Sequence, residues 1–121
     1  MSELAELTRL ILDFRDQRSW GKFHTLKDLS MALSIEAAEL QELGLWKSEE
    51  ELVGSISDEP GKSEFDSELA DILMYLLLIA DKAQIDLAEA VRKKLERNQK
   101  RFPVEDFNGT FDKQKRRDQG E

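Results

Sequence analysis

Residues 68–80 read Glu-Leu-Ala-Asp-Ile-Leu-Met-Tyr-Leu-Leu-Leu-Ile-Ala, and this stretch decides the fold. From Ile72 to Ala80 it is hydrophobic around the whole circumference of a helix, with no strand-like alternation, so it predicts a helix buried on nearly every side. An acid pair, Glu68-x-x-Asp71, stands at its edge. A second pair, Glu36-x-x-Glu39, occurs upstream, where steps of three and four residues give Leu26, Leu29, Leu33, Glu36, Leu40 and Leu43. Glu36 therefore takes a slot in an otherwise all-leucine seam. Three-residue spacing sets the two members of a pair on one side of a helix, about 4.5 Å apart along its axis. Two such helices packed together gather four carboxylates. Two of these charges about 5 Å apart repel by roughly 3 kcal/mol at an effective dielectric near 20, and four raise that several-fold. Protonation or a divalent cation must relieve it, and an all-oxygen donor set favours Mg²⁺ or Mn²⁺.

The rest of the chain is read around these two helices. Two prolines and six glycines in 121 residues leave long uninterrupted segments of helical periodicity, which predict an all-α protein. A first helix spans about Glu3 to Gln17, and Ser19 to His24 form a connector. Thr25 to Asp28 is a capping-box pattern opening the Glu36 helix, which ends near Gly44. Ser48-x-x-Glu51 marks a short helix to Val53, followed by a loop over Gly54 to Lys62. Ser63-x-x-Asp66 is read as the start of the long apolar helix, which runs to about Lys82. After a break at Gln84 to Asp86, a last helix covers Leu87 to Arg101 and stops before Pro103. The expected architecture is a four-helix-type bundle over residues 1–104, with the acids between its second and third main helices and a polar, flexible tail over 105–121.

Composition narrows the function. Hydrophobic residues make up 40% of the chain, enough for a folded domain, and the formal charge of −8 disfavours nucleic acid or an anionic membrane as partner. Four basic residues in Lys113 to Arg117 read as a solvated tail. There is no cysteine, which excludes a disulfide or thiolate metal site and fits a cytoplasmic protein. No apolar run has the length of a membrane span, and the start lacks a signal-peptide pattern. The apolar perimeter of the Ile72 to Ala80 helix exceeds what one chain's helices cover, so a homo-oligomer is expected, a tetramer or at least a dimer.

Taken alone, each acid pair has a plainer reading: an exposed acidic stripe for Glu36 and Glu39, and favourable first-turn charges for Glu68 and Asp71. Lys94, Asn98 and Arg101 recur at i, i+4 and i+7 and share one face of the last helix, where the cations would also complement the helix dipole. Tryptophans are most often core or interface residues. A carboxylate di-iron or di-manganese bundle would want Glu-x-x-His pairs, and the one histidine, His24, lies outside the acid pairs. A non-catalytic helical interaction module remains as a further alternative.

The ordered set resembles a known family. Ile-Glu-Ala-Ala-Glu-Leu at 35–40, then Glu-Leu-Ala-Asp-Ile-Leu-Met-Tyr at 68–75, is similar to the MazG-like, all-α nucleoside triphosphate pyrophosphohydrolases, and within them to the dCTP pyrophosphatase branch. The likeness extends over residues 10 to 104 and includes Phe14, Arg18, Trp20, Phe23-His24, Trp46-Lys47, Tyr75 and Lys94-x-x-x-Asn98-x-x-Arg101-Phe102-Pro103. Ile35 departs from it, since many members carry a further glutamate there. The resemblance implies Mg²⁺-dependent cleavage of a nucleoside triphosphate, dCTP or a related or modified nucleotide, to the monophosphate and pyrophosphate. It implies that Glu36, Glu39, Glu68 and Asp71 hold the metal, with Mn²⁺ as a substitute. Trp20, Trp46 and Tyr75 would surround the base with His24 nearby, Lys47 would also bind substrate, and Lys94, Asn98 and Arg101 would meet phosphate.

Overall fold

The computed structural model describes residues 1–109, and these are helical without a strand. The elements are α1 (Glu3–Gln17), a 3₁₀ turn (Trp20–Phe23), α2 (Leu26–Glu42), α3 (Glu49–Ser57), α4 (Gly61–Ala83), α5 (Leu87–Arg101) and the single turn α6 (Val104–Phe107). The all-α expectation holds. The chain divides into two compact units, one of Met1–Ile85 and one beginning at Asp86. Each is described in its own terms.

Polar caps set most of the boundaries. Ser2 accepts from the Ala5 amide at the start of α1, and Asp86 accepts from the Glu89 amide at the start of α5. Ser48 and Glu51 form a full reciprocal capping box at α3, with both bonds at 3.0–3.1 Å. Thr25 makes only half of its box: its hydroxyl accepts from the Asp28 amide at 3.0 Å, without a return bond from the Asp28 side chain. At the far end of α4, Gln84 turns into the left-handed region and the Ile85 amide closes on the Ala80 carbonyl at 2.8 Å, a Schellman-type stop.

Two boundaries differ from the sequence expectation. Helix α3 continues through Gly54 to Ser57, so the loop is confined to residues 58–60. Helix α4 begins at Gly61 rather than at Ser63, and the Ser63 amide instead donates to the Glu59 carboxylate at 3.3 Å. Gly61 is required by space: a Cβ there would overlap the Ser55 carbonyl of α3, so the absence of a side chain lets α3 and α4 meet this closely. The turn at Val104–Phe107 carries helix past residue 104 into the segment expected as tail, and the Phe102 and Phe107 rings pack edge to face at 5.1 Å. The basic run 113–117 lies outside the described residues.

In the first unit, α4 is the central element. It packs most extensively against α2 and also against α1 and α3. Leu29 of α2 and Leu77, Leu78 and Ala80 of α4 form the buried core. Leu33, Leu40 and Leu43 of the leucine seam are half-buried, while Leu26 at its start is exposed. Within one chain Leu73, Met74 and Leu76 of the apolar run remain 37–39% exposed, because three neighbouring helices cannot encircle a helix that is apolar all round. No helix among the described residues is long and apolar enough to cross a membrane.

Candidate functional site

The docking of α2 against α4 brings three of the four predicted acids together. Glu36 and Glu39 come from α2 and Glu68 from α4, and one carboxylate oxygen from each lies within 4.8 Å of the other two. All three side chains are half-buried. Oε2 of Glu36 and Oε2 of Glu68 are buried with no hydrogen-bond donor of the described residues facing them. Glu36 can therefore bond Glu68 or Glu39 only while a proton resides on a carboxyl. Burial, these hydrogen bonds and the charges of Glu39 and Asp71 together push the Glu36 pKa up to about 7. Asp71 lies outside the close triad but near enough for its charge to act on Glu36.

These oxygens fit a cation. An ionised pair at this spacing repels by about 3 kcal/mol at an effective dielectric near 20, and buried acceptor oxygens without donors are costly. An exclusively carboxylate donor set is the chemistry that hard divalent ions take. The triad could hold a metal ion.

Glu36 and Asp71 also line a cavity of about 380 Å³. Its other walls are Ile11, Phe14 and Arg15 of α1, Trp20 and His24 of the connector, and Met74, Tyr75 and Leu78 of α4. The connector is locally ordered: the Arg18 guanidinium stacks 3.7 Å over the Phe14 ring and donates to the Phe14 carbonyl, while Phe14 meets Trp20 edge to face at 5.8 Å. Burial and the Arg15 charge lower the His24 pKa, which favours the neutral imidazole, and its Nδ1 is buried without a partner. Burial raises the Tyr75 pKa, reinforced by Glu36, Asp71 and Glu39, so its phenol stays protonated.

The predicted substrate-binding residues thus separate. Trp20, His24 and Tyr75 share the cavity with Glu36 and Asp71. Trp46 lines a different hollow, with Ala38, Gln41, Glu42, Gly44 and Leu45. There Trp46 is 93% exposed with φ of 63°, a left-handed conformation that is unfavourable for a bulky residue. Lys47 follows it on the exposed surface. Lys94, Asn98 and Arg101 belong to the other unit, on α5. Ile11, Phe14, Arg15, Met74 and Leu78 are not among the predicted site residues. The apolar ones follow the helical spacing of α1 and α4, whereas nothing in the polar end of α1 distinguishes Arg15 from its neighbours.

Comparison with known proteins identifies the family. The MazG-like family profile matches residues 31–115. The chain is 37% identical over 101 residues to dCTP pyrophosphatase 1 of Bos taurus and 34% identical over 101 residues to that of Homo sapiens, in each case across 84% of this chain. It spans about 60% of the length of these curated relatives. A pyrophosphatase from Archaeoglobus fulgidus, known from its crystal structure, is 39% identical, with a TM-score of 0.78 covering 85% of this chain and 94% of that one. Glu36, Glu39, Glu68 and Asp71 and half of the residues lining the cavity fall inside the matched region, and the chain belongs to the MazG-like family.

Proposed function

We propose that this chain is a divalent-metal-dependent nucleoside triphosphate pyrophosphohydrolase that converts dCTP, or a related or modified deoxynucleotide, to its monophosphate and pyrophosphate. The observation that carries this reading is the double role of Glu36, which belongs to the three-carboxylate group and also lines the cavity with Trp20, His24 and Tyr75. That juxtaposition suits a ligand with one polyanionic end and one flat, partly polar end. The family and the names of the relatives support the same class of reaction.

On this reading Glu36, Glu39 and Glu68 hold Mg²⁺, with Mn²⁺ as a substitute, and Asp71 adds its charge beside them. When bound, the ion supplies positive charge against the triphosphate and makes water more acidic. A water oxygen attacks the α phosphorus, the bridging bond to the β phosphate breaks, and pyrophosphate leaves with that electron pair. A carboxylate of the group accepts the proton that the water gives up. The rings of Trp20 and Tyr75 border the base, and the apolar side chains of Ile11, Met74 and Leu78 exclude water around it. Phosphate contact by Lys94, Asn98 and Arg101 rests on the family resemblance.

The exposed apolar side chains of α4 support the further reading that copies of this chain cover one another in a homo-oligomer, a tetramer or a dimer. Sedimentation of the purified chain tests it, a monomer at micromolar concentration counting against it.

The test of the activity is a panel of canonical and modified nucleoside triphosphates with Mg²⁺, in which monophosphate, diphosphate, pyrophosphate and phosphate are resolved. Equimolar monophosphate and pyrophosphate, abolished by chelator, is the expected result. Release of inorganic phosphate alone rejects the reaction.

A further inference from the structure

We propose that Arg15 reads the nucleobase, its guanidinium donating end-on to two adjacent acceptors, O2 and N3, of a cytosine held in the cavity. The assignment rests on the pyrophosphohydrolase reading above and adds to it the residue that selects the base.

Arg15 is built into place. Its side chain is only 22% exposed, and it lies on the cavity wall. Nε and Nη2 both contact the same Asp16 oxygen at 2.8 Å, which fixes the plane of the fork. Gly21 backs it closely: a Cβ at that position would sit 3.4 Å from Nε and 3.7 Å from Cζ. The Asp16 contact uses one edge of the guanidinium and leaves the end-on pair, one N–H from Nη1 and one from Nη2, for a ligand. Complementing the dipole at the end of α1 would require none of this burial or tethering.

The position favours a base over a phosphate. The acids lining the cavity, Glu36 and Asp71, come from α2 and α4, whereas Arg15 comes from α1 and His24 from the connector that follows it. The cavity thus has an acidic set that takes the metal and polyphosphate and a separate Arg15–His24 set among aromatic and aliphatic walls. An end-on guanidinium matches two neighbouring acceptors, as the O2 and N3 atoms of cytosine are. Thymine and uracil present an N3–H there, which places donor against donor, and such a mismatch is poorly tolerated in a buried polar contact.

The experiment compares wild type with Arg15→Ala and Arg15→Lys on dCTP, dTTP, dUTP, dGTP and base-free deoxyribose 5-triphosphate, reading kcat and KM from pyrophosphate release. Wild type is expected to prefer dCTP to dTTP and dUTP. Arg15→Ala should lower kcat/KM for dCTP by about 10- to 100-fold, mainly through KM, and bring the dCTP to dTTP ratio toward one, while turnover of the base-free compound is unchanged. Arg15→Lys keeps the charge without the fork and should not restore the ratio. Asp16→Asn, which removes the tether's charge and leaves Arg15 itself, should lower the ratio in the same direction. Equal losses on all five compounds, an unchanged ratio, or a wild type without preference for dCTP over dTTP and dUTP overturns the assignment. A wild type that releases pyrophosphate from none of them overturns the reading of the function, and the assignment with it.

Discussion

Metal binding by the carboxylate triad should expel a proton, and the amount expelled is set by Glu36. With a pKa of about 7, Glu36 in metal-stripped protein carries about 0.9 proton at pH 6, 0.5 at pH 7 and 0.1 at pH 8. A cation that takes Glu36 as a ligand must displace whatever proton is there. The apparent affinity for Mg²⁺ should accordingly fall about tenfold from pH 8 to pH 6 through this group, with about half of a proton released per site at pH 7. The assay is isothermal titration of metal-stripped protein with MgCl₂ in pairs of buffers of different ionisation enthalpy, from which the number of protons released is obtained at each pH. Glu36→Gln should bind more weakly and release almost none. If wild type at pH 6 releases no proton, or if Glu36→Gln releases as many as wild type, Glu36 is not the group coupled to the cation and the electrostatic account of the triad fails.

The same raised pKa acts on stability: in metal-stripped protein the contribution of Glu36 is fully present below its ordinary value of 4.5 and is lost as pH rises through about 7. Above pH 7, thermal denaturation without metal should therefore find Glu36→Gln more stable than wild type by roughly 1–2 kcal/mol, after discounting for solvent, with the order reversed in excess Mg²⁺. Glu39→Gln and Glu68→Gln should each lower kcat for pyrophosphate release by about 100-fold with far-ultraviolet circular dichroism unchanged; near-normal turnover in either removes that residue from the metal site. Leu77, 3% exposed in the core, should cost about 2–5 kcal/mol when changed to Ala, measured by urea denaturation, and a loss below 1 kcal/mol would contradict its central position.

Much of this is legible in the sequence, and for identifiable reasons. Helical periodicity and local caps are short-range properties, so α1, α2, α5 and the start of α3 follow from residue spacing and from Ser48, Thr25 and their neighbours. The anomaly of Glu36 in a leucine seam likewise marks a group of acids from spacing alone. The start of α4 was not legible, because it depends on Gly61 meeting the Ser55 carbonyl, a contact between two helices that neither segment encodes alone.

What the sequence by itself determined is therefore the helical class, the acid pairs and the family, since each is written in spacing and residue type along one strand of text. Tertiary structure alone decided which acids converge and what surrounds them. It drew Glu36, Glu39 and Glu68 together while leaving Asp71 at the cavity wall, kept Trp46 on a separate surface, and brought Arg15 into the cavity with Trp20, His24 and Tyr75. The physical reason is that periodicity specifies the face of a helix, whereas the rotation and offset at which two helices dock are set by side-chain packing between distant segments, and a shift of a few ångströms there decides which oxygens can share one cation.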